Sequence, residues 1–80
     1  MTQKEILSKL TEIFRDVFDD RRLVITRDTT AEDIFDWDSL NHMTLISEVE
    51  SEFGVKFKAK DVIGMQNVGE MIDRISEMLQ

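Results

Sequence analysis

The sequence predicts an all-α fold, a small antiparallel bundle of three main helices plus one short helix. Three observations predict it. Apolar residues recur at helical spacing in three separate stretches. Each stretch begins with a residue able to cap a helix, and the middle one ends on a glycine. The chain has no Pro and only three Gly among 80 residues, too few turn signals for an all-β protein.

The first helix opens with Thr2 and Glu5 at capping-box spacing, where each side chain can satisfy the other's free backbone N–H. Ile6, Leu7, Leu10, Ile13, Phe14, Val17 and Phe18 then fall within an arc of about 140°, with Lys9, Glu12, Arg15 and Asp16 outside it. The helix is expected over residues 3–18. Asp19 to Asp38 is a long connection for so short a chain. Leu23, Val24, Ile25 and Ile34 are its expected anchors, and Thr30 with Asp33 can cap a single turn. A second helix is expected from Ser39 to Phe53, capped by Asp38 and ended by Gly54. Asp61–Ile63, ahead of Gly64, makes a brief helical turn. The last helix starts at Asn67 and Glu70, again at capping-box spacing, with Val68, Met71, Ile72, Ile75, Met78 and Leu79 on its apolar face.

One domain covering residues 1–80 is expected, with a core barely sufficient for independent stability. No Cys is present, which excludes disulfides and thiolate metal sites. No basic start precedes an apolar run, and no stretch approaches the roughly 20 apolar residues of a membrane span. A cytoplasmic monomer without membrane insertion is therefore expected. The net charge of −7 argues against nucleic acid as a partner. All of that imbalance lies in residues 28–52, which hold Asp28, Glu32, Asp33, Asp36, Asp38, Glu48, Glu50 and Glu52 and no Lys or Arg. A solvated acidic face is the simpler reading, but its confinement to one stretch favours an electropositive partner docking there.

The second helix holds a residue that does not fit a core. Met43, Leu45, Ile46, Val49 and Phe53 share the inward arc, while Leu40 falls on the opposite face with Thr44, Ser47 and Ser51, and Glu48 at its edge. An exposed Leu is common, but this one adjoins Ser39 after a long acidic loop. Ser39 sits where backbone N–H groups lack intrahelical partners and the helix dipole is positive. Local pattern alone favours plain helix capping by Ser39 or Asp38. The same geometry suits a covalently attached phosphate. Asp38 adds a carboxylate able to help hold Mg²⁺ while a phosphodiester is made; no resident metal is expected.

The stretch Asp36-Trp37-Asp38-Ser39-Leu40, followed by an apolar-periodic helix ending Glu52-Phe53-Gly54-Val55, resembles the acyl carrier protein family. The hallmark is Asp38-Ser39-Leu40 at the head of the second helix, and the resemblance spans nearly the whole chain. It implies that Ser39 accepts 4′-phosphopantetheine from coenzyme A through a phosphopantetheinyl transferase, with Asp38 assisting near Mg²⁺. It further implies a non-catalytic carrier whose arm holds acyl thioesters for ligases, synthases and acyltransferases. Leu40 is then the leading hydrophobic partner contact, Asp36, Asp38 and Glu48 the leading charged ones, and Thr44 a neighbour on that face. Between the second and later helices, Met43, Ile46, Val62, Ile63 and Met65 are candidates to enclose an acyl chain, with a packed core as the simpler reading of each. Members serving fatty-acid synthesis commonly carry acids two and five residues after the Ser, where this chain has Asn41 and Thr44. That departure favours a dedicated fatty-acyl, polyketide-like or other specialised pathway over a general fatty-acid role.

Rival readings are weaker. His42 lies three residues after Ser39, but it is the only His and no nucleophile elbow or oxyanion hole accompanies it. Asp36 and Asp38 begin an EF-hand spacing that fails at Leu40, Asn41 and Ser47. An aminoacyl or peptidyl carrier and an unmodified acidic helical adaptor stay open as alternatives.

Overall fold

The computed structural model describes all 80 residues, Met1–Gln80. It contains α1 (Gln3–Val17), a 3-10 turn (Ala31–Asp33), α2 (Ser39–Phe53), α3 (Ala59–Gly64) and α4 (Val68–Leu79), and no strand. The expected helices are all present, and α3 begins two residues earlier than its sequence signal.

Local chemistry explains each boundary. Thr2 Oγ1 accepts from Glu5 N–H at 3.1 Å while Glu5 Oε1 accepts from Thr2 N–H at 2.9 Å, so both members of the capping box are used. These bonds to Thr2 hold the Glu5 carboxyl below its usual range. Past α1, Asp19 adopts a left-handed conformation and Asp20 N–H reaches back to Arg15 O at 3.0 Å, the pattern glycine usually supplies. Gly54 (φ 66°) closes α2 in the same conformation. At α4, Asn67 Oδ1 accepts from Glu70 N–H at 2.9 Å, but the Glu70 carboxylate takes the N–H of Gln66 rather than that of Asn67. The reciprocal box expected there is thus displaced by one residue.

The core forms where α1 lies against α2 and α4. Ile6, Leu10, Ile13 and Phe14 of α1 meet Leu45, Ile46, Val49 and Phe53 of α2 and Val68, Met71, Ile72 and Ile75 of α4. Burying so many apolar side chains, at up to about 3 kcal/mol each, is the main force holding three short helices together. Two expectations fail at the rim. Met43 is 55% exposed and Leu79 is also exposed. Met43 lies at the edge of the α2 arc and outside the core cluster, and Leu79 is the last residue of its helix.

The long connection is ordered by anchors at both ends. Ile25 and Ile34 are buried, whereas Val24 is exposed. In extended chain successive side chains point to opposite sides, so only one of Val24 and Ile25 can face inward. Arg27 O and Thr29 O accept from Gly69 N–H (2.8 Å) and Val68 N–H (2.9 Å), which closes the N-terminus of α4 with loop carbonyls. A Cβ on Gly69 would lie 3.0 Å from Arg27 O, so the close approach calls for glycine. The Arg27 guanidinium makes two 3.1 Å bonds to Asp73 and one to Gln3. That guanidinium holds the Asp73 carboxyl below its usual range. Because the folded value is depressed, folding at neutral pH gains from the pair, and the gain vanishes as pH falls through it. Denaturation of Asp73→Asn and unsubstituted protein should therefore differ at pH 7 and converge on acidification; curves that stay parallel would contradict the pairing.

Candidate functional site

Ser39 is the first residue of α2, and its neighbourhood is built by the five residues before it. Ile34 is buried and Phe35 is 89% exposed, so the chain turns outward between them. Asp36 then takes a left-handed conformation (φ 73°), one that Asp tolerates better than most side chains. Its carbonyl accepts from Asp38 N–H at 2.9 Å and from Asn41 Nδ2 at 2.6 Å. The reversal directs Trp37 inward, edge-on to Phe14 with ring centroids 5.3 Å apart. Asp38, Ser39 and Leu40 are left exposed at the head of the helix.

Of the two candidate caps, Asp38 takes the role and Ser39 does not. Asp38 Oδ1 accepts from Asn41 N–H at 2.8 Å, and Asp38 O accepts from His42 N–H at 2.8 Å. Asp38 is the cap. The Ser39 hydroxyl makes no hydrogen bond within the chain, unlike Thr2, whose hydroxyl is consumed in capping α1. The N–H groups of Ser39 and Leu40 also have no partner in the chain, whereas those of Val68 and Gly69 at the head of α4 are satisfied. A free hydroxyl next to free N–H donors at the positive end of a 15-residue helix fits a phosphodiester on that oxygen.

Beside Ser39 opens a cleft of about 520 Å³, with Trp37, Met43, Val62, Ile63 and Met65 as its large apolar walls and Asp38, His42 and Gln66 among its polar ones. Four of the five expected chain-enclosing residues line it. The fifth, Ile46, does not; 3% exposed, it faces the core one helical turn beyond Met43. Trp37, His42 and Gln66 were not anticipated as lining. His42 holds no hydrogen bond to Ser39, and both its ring nitrogens are engaged elsewhere, by Trp37 and Val62. It therefore cannot act as a base for the Ser39 hydroxyl.

On the outer face of α2, Leu40 is 77% exposed, and Thr44, Ser47, Glu48 and Ser51 are exposed beside it. The acidic stretch sorts into two groups. Asp33 bonds Thr30 N–H, Asp38 caps α2, Glu50 takes Phe57 N–H at 2.8 Å, and Glu52 pairs with Lys9 at 3.6 Å. Asp28, Glu32, Asp36 and Glu48 have no side-chain hydrogen bond or ion pair. Asn41 and Thr44 turn to internal work: Asn41 braces the Asp36 turn, and Thr44 Oγ1 donates to Leu40 O at 3.4 Å.

Comparison with known proteins agrees with this geometry. The family model for the phosphopantetheine attachment site matches residues 8–75. The acyl carrier protein of Lactobacillus johnsonii is 31% identical over 75 residues, covering 94% of each chain. The meromycolate extension acyl carrier protein of Mycobacterium leprae is 30% identical over 78 residues, covering 98% of this chain and 68% of that one. The solution structure of the holo acyl carrier protein from Geobacter metallireducens superposes with a TM-score of 0.85 at 45% identity, covering 91% of this chain and 84% of that one. With its helical bundle and its Asp-Ser-Leu helix head, the chain belongs to the acyl carrier protein family, whose prosthetic group is 4′-phosphopantetheine.

Proposed function

We propose that Ser39 carries the 4′-phosphopantetheine arm and that the chain presents acyl groups to the enzymes of a dedicated biosynthetic pathway. The observation that carries this reading is the Ser39 hydroxyl, exposed and unbonded because Asp38 has taken over the capping. In the modifying reaction the Ser39 oxygen forms a bond to the phosphorus of coenzyme A nearest the pantetheine. The pyrophosphate bond breaks, 3′,5′-adenosine bisphosphate leaves, and the hydroxyl proton passes to the transferase or solvent. Asp38 keeps one carboxylate oxygen on Asn41 N–H, and its other oxygen would help hold the Mg²⁺ used in the transfer. The N–H groups of Ser39 and Leu40, unpartnered in the chain, would be available to the negative charge that results. The arm supplies a terminal thiol that holds cargo as a thioester.

Partner enzymes dock by charge and by one apolar contact. Asp36 and Glu48 are unpaired and so cost no internal salt bridge when a basic partner arrives, and Leu40 offers an exposed apolar side chain between them in sequence. Asn41 and Thr44, occupied internally, favour partners other than those of general fatty-acid synthesis. The apolar cleft beside Ser39 favours acyl over aminoacyl cargo.

Incubation with coenzyme A, Mg²⁺ and a broad-specificity phosphopantetheinyl transferase tests the reading. The protein should gain the mass of one arm, and Ser39→Ala should gain none. An unmodified adaptor would leave both masses unchanged. Loading of the holo form by acyl-activating but not aminoacyl-activating enzymes would then distinguish acyl from aminoacyl cargo.

A further inference from the structure

Helix α3 is the least anchored helix of the bundle. Its six residues include no buried side chain, and so short a segment is not helical by itself. Few ties hold it. Phe57 is buried just ahead of it, Val62 and Met65 pack partly on the core, and Asp61, with a side chain only 15% exposed, pairs with Arg74 of α4 at 3.4 Å. The remaining tie is the Val62 carbonyl, 3.0 Å from His42 Nε2 on α2.

That tie is directional. The indole Nε1–H of Trp37 lies 3.1 Å from His42 Nδ1, and an indole N–H can only donate. Nδ1 must therefore be bare, the ring proton sits on Nε2, and Nε2 donates to Val62 O. The last carbonyls of a helix lack partners of their own. The N–H of Gln66, four residues on, would bond Val62 O if the helix continued, but it donates to Glu70 Oε2 at 2.8 Å. His42 thus supplies from α2 a hydrogen bond that α3 cannot make for itself. Trp37 is in turn wedged against Phe14 and Phe18, which roots the relay in the α1 core.

We propose that the Trp37–His42–Val62 relay is a latch holding α3 closed against α2 beside the Ser39 cleft, with His42 as the positioning residue. Widening of the cleft between Met43 on α2 and Ile63 on α3 then requires the His42–Val62 bond to break. The latch belongs to the unmodified chain, so its test is separate from that of the arm.

Trp37 is the sole Trp and gives a single indole N–H resonance. In the unsubstituted apo protein, imidazole ¹⁵N shifts should report the Nε2-protonated tautomer; the Nδ1-protonated form would overturn the proposal. His42→Phe keeps a ring against Trp37 and removes both bonds. It should accelerate hydrogen exchange of the Trp37 indole N–H and of the α3 amides roughly tenfold, with α1 and α4 amides unchanged. His42→Gln, whose amide provides one acceptor and one donor, should restore much of the protection. Unchanged α3 exchange in His42→Phe, equal acceleration in every helix, or no rescue by Gln would each overturn it.

Discussion

Phe14→Ala should destabilise the fold by about 3–5 kcal/mol, which lowers the thermal midpoint by roughly 12 °C or more. Phe14 is fully buried in the last turn of α1. Its ring packs on Phe18 at 5.7 Å and on Trp37 at 5.3 Å. Truncation leaves a cavity in the close-packed core cluster, so the cost combines lost burial with lost contact. Small domains have only about 5–15 kcal/mol in hand. The variant should melt early and should also loosen Trp37, which positions the chain just ahead of Asp38 and Ser39. A circular-dichroism melt measures the effect, and a midpoint within a few degrees of the unsubstituted protein would show that the core is not organised around this ring.

Asp38 serves two purposes that one substitution separates. Asn caps a helix about as well as Asp, so Asp38→Asn should keep the bond to Asn41 N–H and shift stability by no more than about 0.5 kcal/mol. It removes the negative charge offered to Mg²⁺, and the rate of arm attachment should fall roughly 10- to 100-fold. Asp38→Ala should lose the cap as well, at about 1 kcal/mol, and be modified at least as slowly. Urea denaturation and timed mass measurements read the two effects independently. An Asp38→Asn protein modified at the normal rate would confine Asp38 to capping.

Where a single residue decides a boundary, the sequence was readable. Gly54 ends α2 by local chemistry alone, and Thr2 with Glu5 starts α1 for the same reason. The outward placement of Leu40 followed from helical period, since nothing packs over that face. Long-range features were not readable in this way. The relay from Trp37 to His42 crosses a helix start at a spacing of five, and Val62 lies twenty residues further on, so no periodic signal links them. Met43 satisfied the apolar arc of α2 but lies on the side that α3 only partly covers, and a wheel cannot tell how wide the covering neighbours are. Whether Asp38 or Ser39 performs the capping is a choice between two competent side chains. Only the three-dimensional turn at Asp36, with its carbonyl tied to Asn41, settles it in favour of Asp38.

The most direct test is to find which oxygen bears the arm. Fragmentation of peptides from protein produced alongside a compatible phosphopantetheinyl transferase should place one phosphopantetheine on Ser39, with Ser8, Ser47, Ser51 and Ser76 bare. An unmodified Ser39, or an arm on any of the other four, would contradict the account.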